Sequence, residues 1–221
     1  MLRIALTRRR ERPVRVFVAV PLPADLKSKL ALIQDTFRTL PFEATWVRME
    51  GFHITLKFLG EVKPIQIEGI VSALRDAVTG YGLFSLRLGG MGVFPNEANP
   101  KVLWVGVVDG AQHLGQLQRS VDSYLEHLGF QPEGRRFTPH LTIARFKRVA
   151  GRSPLVDHLK MHHRTVFGEI EVHQLELVES QLHPSGARYV TLNTVHLSDA
   201  RGTSKWQEGW ETTTSFEGDR D

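Results

Sequence analysis

Two histidine–threonine pairs stand out in the sequence, because each lies in a short apolar segment with one residue between its members. His53 and Thr55 lie in FHITLKFLG, and His140 and Thr142 lie in TPHLTIAR. An imidazole can donate or accept a proton near neutral pH, and a threonine hydroxyl can hydrogen-bond a phosphoryl oxygen without adding charge. Two such pairs across one cleft would supply an acid, a base and two oxygen anchors, which suits displacement at phosphorus without a metal.

The apolar residues around each pair predict a β-strand. Successive strand side chains point to opposite faces, so His53 and Thr55 share one face, as do His140 and Thr142. The members of a pair lie ~7 Å apart along the strand, about the span of one phosphate. One such pair is typical of an ordinary strand surface, whereas two copies favour a functional site. On strict alternation, the apolar reverse faces consist of Phe52, Ile54, Leu56 and Phe58 in the first strand and Leu141 and Ile143 in the second.

The composition is that of a soluble globular protein with a slight preference for anionic partners. The 221 residues carry a net charge of +4, and they suffice for one large domain or two small lobes. The absence of cysteine excludes disulfides, thiolate chemistry and cysteine-based metal sites. The N-terminal apolar runs are broken by arginines, and no run is long enough to span a membrane. We therefore expect a cytoplasmic protein with no membrane partner.

The order of predicted elements is similar in the two halves of the chain. Each half reads as strand, helix, motif strand, helix and strand, which predicts an α+β protein of two lobes. The same order could give a doubly wound parallel sheet, but half-polar motif strands favour antiparallel pairing. We expect a basic arm at 1–14, the bilobal domain at 15–197 and a polar, disordered tail at 198–221. The predicted elements include helices at 25–40, 64–79 and 112–128, strands at 15–20, 83–88, 101–108 and 136–146, and a loop at 89–100.

The two motifs, HITL and HLTI, also resemble those of the two-histidine (2H) phosphoesterases. Within that superfamily the chain is similar to the RNA 2′,3′-cyclic phosphodiesterases, also called the 2′-5′ RNA ligase family. The likeness extends to RVFVAV, LKFLGEV, GVFPNEANPKVLWVGV, RFTPHLTIAR and LVESQLHPSGARYVTL. These blocks run from about residue 15 to residue 197 in the expected order.

The resemblance implies a fold and a reaction. The fold is bilobal and pseudo-two-fold, with two mainly antiparallel sheets flanking a central cleft and helices outside. The reaction is hydrolysis of an RNA 2′,3′-cyclic phosphate end to a 2′-phosphomonoester without a cofactor or metal. His53 matches the proton donor and His140 the proton acceptor, while Thr55 and Thr142 match the residues that hold phosphate oxygens. The residues alone leave open which histidine is the acid. An RNA 5′-hydroxyl in place of water would give a 2′-5′ linkage.

Four further residues are candidates for substrate binding. Lys57 shares the face of His53 and Thr55 by alternation and could offset phosphate charge. Arg145 follows the second motif, where the family often has a basic residue, but alternation places it on the core face unless a bulge or the end of the strand redirects it. Phe17 and Phe94 could stack on a base, although core packing is an alternative for both.

Two other patterns give only weak indications of a functional site. His158, His162 and His163 lack a carboxylate at ligand spacing, and the glycines of 89–92 lack the lysine and hydroxyl of a phosphate-binding loop. Two other functions are compatible with the motifs. One is a 2H phosphodiesterase acting on small cyclic nucleotides or ADP-ribose cyclic phosphate, and the other is a non-catalytic module that binds RNA ends. The intact histidines favour catalysis, and we expect the enzyme to be a monomer.

Overall fold

The computed structural model describes residues 12–149, 153–181, 183 and 187–197. Most of the predicted basic arm and all of the predicted tail lie outside these residues. The helices are α1 (Ala24–Arg38), α2 (Ile67–Val78), α3 (Ala111–Glu126) and α4 (Ser153–His162). The strands are β1 (Val14–Pro21), β2 (Phe42–Trp46), β3 (His53–Val62), β4 (Phe84–Phe94), β5 (Val102–Asp109), β6 (His140–Val149), β7 (Val166–Val172), β8 (Gln174–Gln181) and β9 (Arg188–His196). No helix among these residues has the length and apolar character needed to cross a membrane.

The nine strands form one curled sheet in which every pairing is antiparallel. Their order is β7-β4-β5-β6-β3-β1-β8-β9, with β2 also paired to β6. The motif strands β3 and β6 meet at a single residue pair, Ile54 opposite Leu141. This narrow join divides the sheet into two half-sheets, so the predicted bilobal α+β architecture is confirmed. The alternative of a doubly wound parallel sheet is wrong.

The two lobes do not coincide with the two halves of the sequence. β4 follows the first motif strand but pairs with β5 and β7 in the second lobe. β8 and β9 end the described chain, yet β8 pairs with β1 in the first lobe. The first half of the chain thus contributes β4 to the second lobe, and the second half contributes β8 and β9 to the first lobe. This exchange of strands connects the two lobes.

The main hydrophobic core lies behind the sheet, on the side away from the motif histidines. Val16, Val18 and Val20 of β1 point into it, together with Ile54 and Leu141. The helices cover this face through the apolar stripes that their sequences predict. Their buried core residues include Leu26, Leu30 and Phe37 of α1, Ile70 and Leu74 of α2, Leu114, Leu117, Val121 and Leu125 of α3, and Leu155 and Leu159 of α4.

The prediction of a loop at 89–100 is wrong over its first part, because β4 continues to Phe94. Its register shifts between Gly89 and Met91, and Gly90 has a φ of +65°. Gly92 has no Cβ, which leaves room for the Trp104 ring lying against it. The glycines that suggested a loop are therefore a bulge and a packing site within a strand.

Candidate active site

The two histidine–threonine pairs face one cleft and are related by an approximate two-fold axis. Ile54 and Leu141 are fully buried and lie directly opposite each other where β3 meets β6. In an antiparallel register, that pair places His53 across from Thr142 and Thr55 across from His140. All four side chains line a cleft of about 990 Å³. The predicted quartet is thus brought together on the open side of the sheet.

A β-bulge follows the threonine in each motif strand and reverses the alternation beyond it. In β3, Thr55 pairs with Ala19 and Lys57 pairs with Val18, so Leu56 is the extra residue. In β6, Thr142 pairs with Trp104 and Ala144 pairs with Leu103, so Ile143 is the extra residue. At each bulge, the extra residue and the residue after it face the core, and the next residue faces the cleft.

The bulges change the predicted faces of three residues. Arg145 is exposed and lines the cleft, as a redirecting bulge would require. Phe58 was expected on the core face by strict alternation, but it is 61% exposed and also lines the cleft. Lys57 was expected beside His53, but its side chain turns to the reverse side and only 2% of the residue is exposed. Strict alternation fails here because one inserted residue moves the side chains directly after it to the opposite face.

Gln34 of α1 stabilises the bulge in β6. Its Nε2 donates to the carbonyl oxygen of Ile143 at 3.0 Å and to that of Val47 at 2.7 Å. The backbone N–H of Val47 also donates to the Ile143 oxygen, at 3.0 Å. A bulge disrupts the ladder locally, and these bonds satisfy its buried carbonyl, which fixes the direction of Arg145.

The ammonium group of Lys57 is committed to an internal ion pair, although the residue borders the cleft. Its Nζ donates to Oδ1 of Asp122 on α3 and, at 2.7 Å, to the carbonyl oxygen of Gln131. The other carboxylate oxygen of Asp122 accepts from the backbone N–H of Glu133 at 3.0 Å. Lys57 therefore connects the first motif strand to the segment that leads into the second.

His53 lies among aromatic rings. Phe17 stacks on the imidazole with centroids 4.6 Å apart, and the Tyr189 ring meets it edge-on at 5.2 Å. Burial, with a smaller contribution from the positive charge of Lys27, lowers the pKa of His53 from 6.5 to about 4. His53 is therefore neutral at pH 7 in the free protein, and a bound phosphate anion would favour its protonated form.

His140 is held in one orientation by the segment that leads into its strand. Its Nδ1 is 2.8 Å from the Thr138 carbonyl oxygen, which can only accept, so Nδ1 carries the proton of the neutral ring. Nε2 is then left with a lone pair. The Phe94 ring meets the imidazole edge-on at 4.9 Å. Burial lowers the pKa of His140, the Thr138 bond opposes that shift, and the charge of Arg145 lowers the pKa further.

Comparison with known proteins shows the family of this chain. The family model of the 2′-5′ RNA ligase superfamily matches residues 35–184. The chain belongs to this superfamily. An RNA 2′,3′-cyclic phosphodiesterase of Methanothermobacter thermautotrophicus is 34% identical over 83% of this chain and 99% of its own length. A protein of the same name from Aeropyrum pernix is 36% identical over 76% of this chain and 94% of its own.

Solved structures share the fold. A Thermus thermophilus protein superposes with a TM-score of 0.70 and 28% identity, over 83% of this chain and 97% of its own. E. coli LigT, solved with 3′-AMP, superposes with a TM-score of 0.67 and 24% identity, over 84% of this chain and 99% of its own. The bilobal architecture described above is thus that of the 2′-5′ RNA ligase superfamily.

Several cleft residues of this superfamily member were not predicted from the sequence. Tyr189 packs against both Phe17 and His53. The Tyr189 ring has room to pack there because residue 51 is a glycine; a Cβ at Gly51 would lie only 2.6 Å from the ring. Burial raises the pKa of the Tyr189 phenol. No local motif marks this residue, which is brought to His53 by the pairing of β9 and β8 beside β1. The other unpredicted cleft residues include Phe58, Arg15, Arg135 and Arg136.

The histidines of α4 pack against helix α1. The rings of His158 and His162 lie 5.1 Å and 6.0 Å from the ring of Phe37. Within the described residues, no group of three histidine, aspartate or glutamate side chains is arranged to hold a metal ion.

Proposed function

We propose that this chain hydrolyses the 2′,3′-cyclic phosphate ends of RNA to 2′-phosphomonoesters. The observation that carries the proposal is the pairing of the two motifs about Ile54 and Leu141, which sets two imidazoles and two hydroxyls around one cleft. The relatives named RNA 2′,3′-cyclic phosphodiesterase support the choice of substrate, since they match along most of this chain.

In the proposed reaction, His140 accepts a proton from the attacking water. The Thr138 carbonyl holds the Nδ1 proton of His140, so Nε2 is the free base. As the water oxygen bonds to phosphorus, the bond from phosphorus to the 3′ oxygen breaks, and His53 gives its proton to that oxygen. The product has a 2′-phosphate and a 3′-hydroxyl. An RNA 5′-hydroxyl in place of water would form a 2′-5′ linkage by the same proton transfers.

The remaining residues hold the phosphate. Thr55 and Thr142 lie beside the two histidines and can donate to the non-bridging oxygens. Arg145 supplies a planar, permanently charged donor on the same face. The anion also favours protonation of His53, which is neutral in the free protein at pH 7. Substrate binding itself therefore prepares the acid.

The test is incubation with an oligonucleotide ending in a 2′,3′-cyclic phosphate, followed by mapping of the product end. We expect a 2′-phosphate terminus, formed at the same rate with EDTA present, since two imidazoles suffice for both proton transfers. Nucleoside 2′,3′-cyclic monophosphates and ADP-ribose cyclic phosphate serve as competing substrates. A 3′-phosphate product, or exclusive turnover of ADP-ribose cyclic phosphate, would contradict the proposal.

A further inference from the structure

A row of aromatic rings leads from His53 to the rim of the cleft. Phe17 stacks on His53 and is 2% exposed. Phe58 lies beyond Phe17, with centroids 5.7 Å apart, and is 61% exposed. Single exposed apolar side chains are common, but this one extends a packed row that begins at a catalytic candidate. Its free ring face is therefore available to a planar group adjacent to the reacting phosphate.

Unpaired positive charge lies around the same rim. Arg15, Arg135 and Arg136 line the cleft and are exposed. Within the described part of the chain, none of the three takes part in an ion pair. Glu133 is the one carboxylate among the described residues that line this cleft. The rim thus offers three guanidinium groups to a polyanion.

The segment that carries two of these arginines is anchored at its start. Lys57 binds the Gln131 carbonyl, and Asp122 accepts from the backbone N–H of Glu133. The anchor uses a lysine and an aspartate on the reverse side of the sheet, so it leaves Arg135 and Arg136 free. Fixing the backbone in advance lowers the entropy that binding would otherwise cost.

The cavity on the other side of His53 has the opposite character. It has a volume of about 590 Å³ and also contacts His53 and Tyr189. Lys27 is its one lysine or arginine among the described residues, whereas its four carboxylates are Glu50, Glu169, Glu171 and Glu176. Like charges repel, so this side disfavours a chain of phosphates. A strand whose end lies at the histidines is therefore directed toward Phe58.

We propose that the RNA strand that ends at the catalytic cleft lies across Phe58, Arg15, Arg135 and Arg136, a surface we call the strand platform. This proposal rests on the proposed function, which identifies the end of the RNA that reacts. The base preceding the terminal nucleotide stacks on Phe58, and the arginines contact the backbone phosphates. The preferred substrate is consequently the end of an RNA chain rather than a cyclic mononucleotide.

Chain-length preference tests the stacking contact. It is the ratio of kcat/KM for an adenosine tetranucleotide ending in a 2′,3′-cyclic phosphate to kcat/KM for adenosine 2′,3′-cyclic monophosphate. Phe58→Ala should lower this ratio roughly tenfold through a rise in KM for the tetranucleotide, and Phe58→Trp should preserve it. The control is Leu32→Ala on α1, which removes another side chain that is 69% exposed and leaves the ratio unchanged. An unchanged ratio in Phe58→Ala would overturn the platform while the proposed function stands.

Salt dependence tests the arginines. The measurement is binding of a tetranucleotide ending in a 3′-phosphate, by fluorescence anisotropy at several salt concentrations. Arg135→Gln with Arg136→Gln should weaken binding and reduce the slope of log affinity against log salt by about 0.7 per lost phosphate contact. The control is Arg75→Gln with Arg119→Gln, which removes two exposed arginines from α2 and α3. Equal slopes in both double variants would overturn the platform.

The two measurements keep the two proposals separate. If the wild-type protein turns over neither cyclic phosphate, the proposed function fails, and the binding comparison still decides the platform. If it turns over both substrates equally well and no platform variant changes binding, the platform fails alone. Circular dichroism shows whether each variant is folded.

Discussion

The two motif strands share a burial pattern, and two of the positions at which their sequences differ lie directly after the bulge. β3 reads HITLKFLGEV and β6 reads HLTIARFKRV, and their burial patterns agree at every position but the last. Each places a histidine and a threonine on the cleft face and a bulge after the threonine. After the bulge, β3 has Lys57 and Phe58 where β6 has Ala144 and Arg145.

The difference is consistent with the proposed binding of an asymmetric substrate by a pseudo-symmetric pair of strands. The first cleft-facing position after the bulge offers the planar guanidinium group of Arg145 in β6 and the apolar ring of Phe58 in β3. An RNA chain that ends in a cyclic phosphate is itself asymmetric, because it has an anionic group on one side and stacked bases on the other. The histidines differ accordingly, since His53 lies among aromatic rings near Lys27 and His140 lies near Arg145.

Removing either histidine should have the largest effect on activity. His53→Ala and His140→Ala should each lower kcat/KM by roughly 10²–10⁴-fold, because each removes one of the two proton transfers. Steady-state kinetics on a cyclic-phosphate oligonucleotide measures the loss. His127→Ala, at the end of α3, is the matched control and should keep full activity. If one cleft variant retains near-wild-type turnover, the symmetric division of acid and base is wrong.

Breaking the Lys57–Asp122 pair should have the largest effect on stability. Lys57→Met leaves the Asp122 carboxylate, 14% exposed, without its cation. The free energy of unfolding should fall by about 3–5 kcal/mol, as for other broken buried pairs. Chemical denaturation measures the change.

The matched double variant separates charge from packing. Lys57→Met with Asp122→Leu should recover most of the lost stability, because no buried charge is left unpaired. If the double variant is no more stable than Lys57→Met alone, the ion pair is not what couples β3 to α3.

Arg145 should matter for turnover more than its counterpart Phe58 matters for the minimal substrate. Arg145→Ala removes a charged hydrogen bond to the phosphate, worth about 1.5–3 kcal/mol, so kcat/KM should fall roughly ten- to 150-fold. Arg145→Lys should restore part of the loss, since it keeps the charge without the bidentate fork. Near-wild-type kinetics in Arg145→Ala on both a cyclic mononucleotide and an oligonucleotide would remove the arginine from phosphate binding.

The pH profile should show a smaller effect that separates the two histidine environments. The pKa values of His53 and His140 both lie below 6.5 in the free protein. The active form has one proton on the pair, so kcat/KM should peak below pH 6.5 and fall on either side. The profile of kcat should lie at higher pH, because the bound anion raises both pKa values.

Lys27→Met tests the charge acting on His53. Removing this cation should raise the pKa of His53, and the limb of the kcat/KM profile that His53 sets should move to higher pH. Lys29→Met, on the same helix but exposed, is the control. A profile unchanged by Lys27→Met would mean that burial alone lowers the His53 pKa.

The sequence predicted the features that depend on local periodicity. The motif strands, the helical stripes of α1 and α3 and the shared face of each histidine–threonine pair all follow from side-chain direction along a regular element. The predictions failed where regularity failed. Strict alternation assigned Phe58 and Lys57 to the wrong faces, because it does not allow for the bulge at Leu56. The glycines of β4 were interpreted as a loop, but they belong to a strand, and the Trp104 ring lies against Gly92.

The sequence by itself thus determined which residues are candidates for the acid, the base and the oxygen anchors, because two histidines and two threonines at strand spacing offer those groups wherever the rest of the chain lies. Only the tertiary structure decided which side chains surround them. The bulge carbonyl in β6 is satisfied by Gln34 from α1, and Lys57 is drawn behind the sheet by Asp122 from α3. These partners are distant in sequence. Whether a strand keeps its register or is shifted by an extra residue therefore depends on long-range contacts, which the local periodicity of the sequence does not reveal.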